Sequence, residues 1–92
     1  MTTNTMWLEI DPERVAHVLR HDAAEKVNGG DSGVALDFSG VARIDPAAAL
    51  ALEELADLAA AKSVTLTLRG VNRDVYKVLK LLHLTRRFSF VE

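Results

Sequence analysis

The chain has 92 residues, 49% hydrophobic and 26% charged, with eleven Lys and Arg against thirteen Asp and Glu. That length holds one packed core, the apolar share excludes a disordered chain, and a net charge of −2 is too weak to gather nucleic acid by counterion release. With no Cys there is no disulfide, thiolate metal site or Cys nucleophile.

Residues 1–5 are polar and lack the basic and apolar regions of a signal peptide. No apolar run approaches the ~20 residues of a membrane helix, so a cytoplasmic protein without membrane insertion is expected. Residues 6–10 read as a short strand. Asp11 then offers a cap with Pro12 at the first helical position and Glu13 near the positive helix end. In that helix Val15, Val18, Leu19 and Ala23 share one face, with His17 and His21 opposite. The turn cluster Asn28-Gly29-Gly30-Asp31-Ser32-Gly33 ends it.

The apolar run Val34-Ala35-Leu36-Asp37-Phe38 has the form of an inner strand, within which Asp37 must find donors or a polar end. Val41 and Ile44 return to the core, and Asp45-Pro46 repeats the helix-start signature. The spacing predicts a second helix over 46–62. It buries Ala48, Ala51, Leu52, Leu55, Leu58 and Ala59 and turns Leu50, Glu53, Glu54, Asp57 and Ala61 outward. Residues 64–68 alternate as a strand closed by Arg69-Gly70. Asn72 caps a third helix with Val75, Val78, Leu79 and Leu82 inside and Arg73, Lys77 and Lys80 outside. Residues 86–91, with Phe88 and Phe90 on one side and Ser89 on the other, form a last edge strand or an extended tail. The order βαβαβαβ implies parallel strands joined by crossovers within one domain over residues 1–92.

No residue pattern carries catalysis. A G-x-S-x-G elbow, a Walker loop and a G-x-G-x-x-G fingerprint are all absent. The Gly-rich stretch follows a helix and so aims no helix N-terminus at a phosphate. His17 and His21 stand one turn apart, but the Glu of H-E-x-x-H is missing and no third ligand can be named, so a solvated face is the simpler reading. Asp37 lacks companion oxygen ligands and reads as structural. His83 reads as a helix-end residue meeting terminal carbonyls. Arg69, Arg73, Lys77 and Lys80 make a modest basic face, either solvated or meeting an acidic partner or lipid headgroups. No cofactor or metal is expected. The feature that points outward is Leu50 beside Ala47 and Ala49, rimmed by Asp45, Glu53, Glu54 and Asp57. An apolar centre with a charged rim is how protein interfaces are built.

Four segments together resemble the STAS family, the domain of anti-sigma-factor antagonists and of the cytoplasmic parts of sulfate transporters. Val34 to Val41 is similar to the family's apolar strand with its D-x-S-G-V ending. Ile44-Asp45 before a small-residue helix start is similar to its signature loop. Val64 to Val71 resembles the strand and G-V before the next helix, and Val78-Leu79 to Leu84 resembles the helix ending before the last strand. The resemblance implies an α/β, STAS-like fold, a mixed and mostly parallel sheet of four to five strands packed with about three to four helices. It also implies a non-enzymatic protein-binding domain whose contact surface includes Asp45, Pro46, Ala47, Ala49, Leu50, Glu53 and Glu54. Where phosphorylated antagonists read D-S-S-G or D-[ST]-x-G, this chain reads Asp45-Pro46-Ala47-Ala48. The phosphoacceptor positions are thus Pro46 and Ala47, which cannot take phosphate. Many members open with a two-stranded hairpin, whereas only ten residues precede Asp11, so a sheet one strand short is expected. The implied partner is an anti-sigma-factor kinase or related regulator. The alternative is the ATPase subunit of an ABC-type lipid transporter.

Overall fold

The structure is a computed structural model that describes residues 6–91. The polar stretch 1–5, read above as lacking a signal sequence, lies outside the described residues. Four strands, β1 (Trp7–Glu9), β2 (Gly33–Asp37), β3 (Thr65–Arg69) and β4 (Ser89–Val91), form one sheet in the order β1-β2-β3-β4. Every neighbouring pair is parallel, so the expected mixture of directions is absent among the described strands. The C-terminal segment is a paired edge strand and not a tail, because Ser89, Phe90 and Val91 take register with Thr67, Leu68 and Arg69.

Three helical stretches connect the strands. The first, α1, runs as Val15–Val18, widens into a π-type turn at Leu19–Ala23 and finishes as Ala24–Asn28. The second and third are α2 (Pro46–Ala61) and α3 (Arg73–Leu81). In α1 the sequence signature placed the start too early. Asp11 Oδ1 accepts from the Glu13 N–H (2.9 Å) and the Asp11 carbonyl from the Arg14 N–H (3.0 Å), which closes a local turn. Arg14, at φ −139° and ψ 39°, then breaks the helical path, so the helix begins at Val15 without a side-chain cap. A short polar side chain that can bond its own downstream backbone serves turns as readily as caps.

The wide turn has a packing reason. Leu19, Ala23 and Val27 are all fully buried and recur every four residues, a spacing that drifts by about 40° per step around a regular α-helix. A π turn holds more residues per turn and so keeps these side chains aimed at the sheet. Sheet faces divide just as sharply. Leu36, Leu66 and Leu68 are buried in one cluster with Val18, Leu52, Leu55, Val75 and Leu79 from the three helices. Successive strand residues point to opposite faces, and the alternate set (Trp7, Ala35, Thr67, Arg69 and Ser89) is half-buried or exposed. All three helices therefore lie on one side of the sheet. This follows from a consecutive strand order, because crossovers of one hand moving steadily in one direction always pass over the same face.

The helices α2 and α3 end alike. After α2 the Val64 N–H donates to the Ala59 carbonyl (2.8 Å) and the Ser63 N–H to Ala60 (3.3 Å); after α3 Leu84 donates to Leu79 (2.8 Å) and His83 to Lys80 (3.1 Å). These are Schellman closures. They put Ser63 (φ 57°) and His83 (φ 59°) in the left-handed region that glycine occupies at least cost.

Candidate functional site

The carboxyl ends of the strands carry the loops that lead into α2 and α3. Beyond the strands proper, the Ile10 N–H donates to the Asp37 carbonyl (3.0 Å) and the Phe38 N–H to the Arg69 carbonyl (2.9 Å), which draws these ends together. Asp37 is buried on the helix-free face. Its Oδ1 accepts from the Ser39 N–H (2.9 Å) and the Ser39 hydroxyl, and its Oδ2 from Arg69 Nη2 (3.1 Å). The guanidinium of Arg69 in turn lies 4.2 Å from the Trp7 ring centroid, a cation–π contact. The Ser39 hydroxyl, then its N–H, and after them Arg69 hold the Asp37 carboxyl below its ordinary value. Gly70, at φ 70°, backs onto this cluster so closely that a Cβ there would sit 2.7 Å from the Ser39 Cα. The Asp37-Phe38-Ser39-Gly40 and Arg69-Gly70 motifs are therefore two halves of one structural lock. Asp37 acts as the structural carboxylate that the sequence implied.

From this lock the chain runs through Val41 and Ala42 to the start of α2. Asn72 fixes that stretch. Its Oδ1 accepts from the Val75 N–H (2.8 Å) as the cap of α3, while its Nδ2 donates to the Val41 (3.3 Å) and Ala42 (2.9 Å) carbonyls. The cap is legible in the sequence and the tie is not. The available signal was that an Asn amide carries donors as well as an acceptor, but the acceptors lie about thirty positions away.

Asp45 is the N-cap of α2, with extended backbone, and its Oδ1 accepts from the Ala48 N–H (2.8 Å). Pro46 follows at the first helical position, where its missing N–H costs nothing. Pro46 and Ala47 are exposed, Ala49 and Glu53 half-buried, and Leu50 stands 49% exposed beside them. Ala48, Ala51, Leu52, Leu55 and Ala59 face the core as the periodicity implied, joined by Ala56; Leu58 is only half-buried. The acidic rim around Leu50 is weaker than the sequence alone implied. Arg20 of α1 donates to Glu54 Oε1 (3.0 Å) and Arg87 to Asp57 Oδ1 (2.8 Å), while Asp45 is engaged as a cap. Glu53 is the rim acid with neither an ion-pair partner nor a capping role among the described residues.

His17 and His21 are exposed, with rings stacked 4.3 Å apart. No group of three or more His, Cys, Asp or Glu placed to hold a metal ion occurs among the described residues. In open α/β sheets ligands settle where the strand order reverses. The consecutive order here makes no such crevice among the described strands.

A four-stranded parallel sheet with three helices on one side is consistent with a small STAS-like fold. The sequence model of the family described as "Mlab, STAS domain" matches residues 9–92, and the chain belongs to that family. STAS domains are in general non-enzymatic regulatory or binding domains that commonly interact with other proteins. No curated protein matches the chain. No helix among the described residues is long and apolar enough to cross a membrane.

Proposed function

We propose that this chain acts by binding another protein through the N-terminal half of α2, with Asp45, Pro46, Ala47, Ala49, Leu50, Glu53 and Glu54 as the contact surface and with no phosphorylation switch at the helix start. The observation that carries the reading is Leu50, a large apolar side chain half-exposed on a helix whose opposite face is fully packed. Asn72 and the Asp45 cap hold the surrounding loop in place. A rigid apolar anchor loses little entropy on binding. No Ser or Thr lies between Ser39 and Ser63, and Ser39 commits its hydroxyl to Asp37.

By family resemblance the first partner class is an anti-sigma-factor kinase or a related regulator in the cytoplasm, bound constitutively. A second reading, the accessory subunit of an ABC-type lipid transporter seated on its ATPase, is favoured by the hydroxyl-free helix start. A permanently assembled subunit needs no release switch. Affinity purification of the chain from its native cells, followed by identification of the retained proteins and repetition with Leu50→Glu, separates the outcomes. A kinase-like regulator or an ABC ATPase retained by the wild type and lost by the variant supports the corresponding reading. Equal retention by the variant removes α2 as the surface.

A further inference from the structure

Charge is unevenly distributed along the chain. Residues 69–87 hold six Lys and Arg against one acid, Asp74, whereas residues 6–68 hold five against eleven. Two of those six are paired, Arg69 with Asp37 and Arg87 with Asp57. The remaining four, Arg73, Lys77, Lys80 and Arg86, have no ion-pair partner among the described residues and are exposed. Three of them lie on α3, at steps of four and three residues, which places them in one line along the helix. That line lies on the side of the helix turned away from Val75 and Leu79, the buried residues of α3. Tyr76 and Leu81 flank it on either side, 44% and 71% exposed. The outer face of α3 is therefore a row of cations bordered by two apolar side chains.

We infer that this face is a docking surface for an anionic lipid bilayer, engaged peripherally and separate from the α2 surface. A convex row of lysines suits a broad, deformable anionic surface. Protein interfaces deplete Lys at their centres, while long Lys and Arg stems lie along apolar material and keep their charges at the water boundary. Leu81, the more exposed of the two apolar side chains, stands at the last turn, where it can enter the headgroup layer while Lys77 and Lys80 meet phosphates. The acid excess elsewhere does not forbid this. Of the acids on the neighbouring helix α2, Glu54 and Asp57 are paired with Arg20 and Arg87, and exposed charges more than about 8 Å apart are largely screened at physiological salt.

Flotation of the untagged chain with vesicles tests the inference. The wild type should float with phosphatidylcholine vesicles containing phosphatidylglycerol, not with phosphatidylcholine alone, and should be released as salt is raised. Removing two cations in Lys77→Gln/Lys80→Gln should weaken partitioning about 30-fold, at roughly fivefold per cation near an anionic surface. Leu81→Ser leaves the charge unchanged and should weaken it severalfold. Circular dichroism spectra matching the wild type would show that the variants fold. Absence of flotation with the anionic vesicles, or flotation untouched by the double substitution, overturns the inference. Flotation untouched by Leu81→Ser overturns it too, since the face would then read charge alone, as an acidic protein or any soluble polyanion would supply.

Discussion

Asp37 is 7% exposed on a sheet face that carries no helix, and it stays ionised there because Ser39 and Arg69 satisfy both carboxylate oxygens. Its lowered pKa has a signed consequence. A carboxyl held below its unfolded value of about 3.9 contributes stability that is fully present above that pH and is lost as pH falls through the folded value. Urea unfolding of wild type and Asp37→Asn should therefore show a stability gap that is constant near neutrality and narrows below about pH 4; a gap unchanged down to the folded value would contradict the assignment. Ser63 and His83 give a second test at this scale. Each occupies a left-handed position at the close of a Schellman turn, so Ser63→Gly and His83→Gly should each raise stability by about 0.5 to 1 kcal/mol in denaturant titrations. A loss at either site would mean that the side chain makes a contact worth more than the strain. The need of Asp37 for donors was legible in the sequence. The identity of one donor was not, because Arg69 lies 32 positions away and only the β2–β3 register makes them neighbours.

At the scale of elements, periodicity located the three helices and four strands because each buries one face, and burial imposes the period. Local signals were less reliable. Asp45-Pro46 and Asp11-Pro12 look alike as helix starts, yet only the first caps a helix, since nothing local distinguishes a carboxylate that bonds three residues ahead from one that bonds two. The π turn in α1 was equally hidden, although the four-residue recurrence of Leu19, Ala23 and Val27 was its trace. Asn72 joins two elements and allows a direct test. Asn72→Ala removes the α3 cap, worth about 0.5 to 2 kcal/mol, together with two donors to the loop before α2. Hydrogen exchange should then quicken at the α2 first turn as well as in α3. Quickening confined to α3 would show that the tie to Val41 and Ala42 does not hold the loop.

For the whole molecule, the family, the parallel crossovers and the placement of α2 were legible, because element order and connection length leave few topologies. The pairing of Glu54 with Arg20 and of Asp57 with Arg87 was not legible, because it depends on how α1 and the C-terminal segment lie beside α2. That pairing changes what Leu50 offers a partner: an apolar centre with a rim in which two of the four acids are paired, suited to a partner that buries Leu50 more than to one that seeks negative charge. The most direct test of the α2 surface sets Leu50→Glu beside Leu55→Ala, measuring unfolding and titration with the captured partner on the same preparations. The core change should cost about 2 to 5 kcal/mol of stability, and the surface change less than about 0.5 kcal/mol while weakening partner affinity by at least about fivefold. A Leu50→Glu protein that binds as tightly as the wild type, or that unfolds as readily as Leu55→Ala, would contradict the assignment.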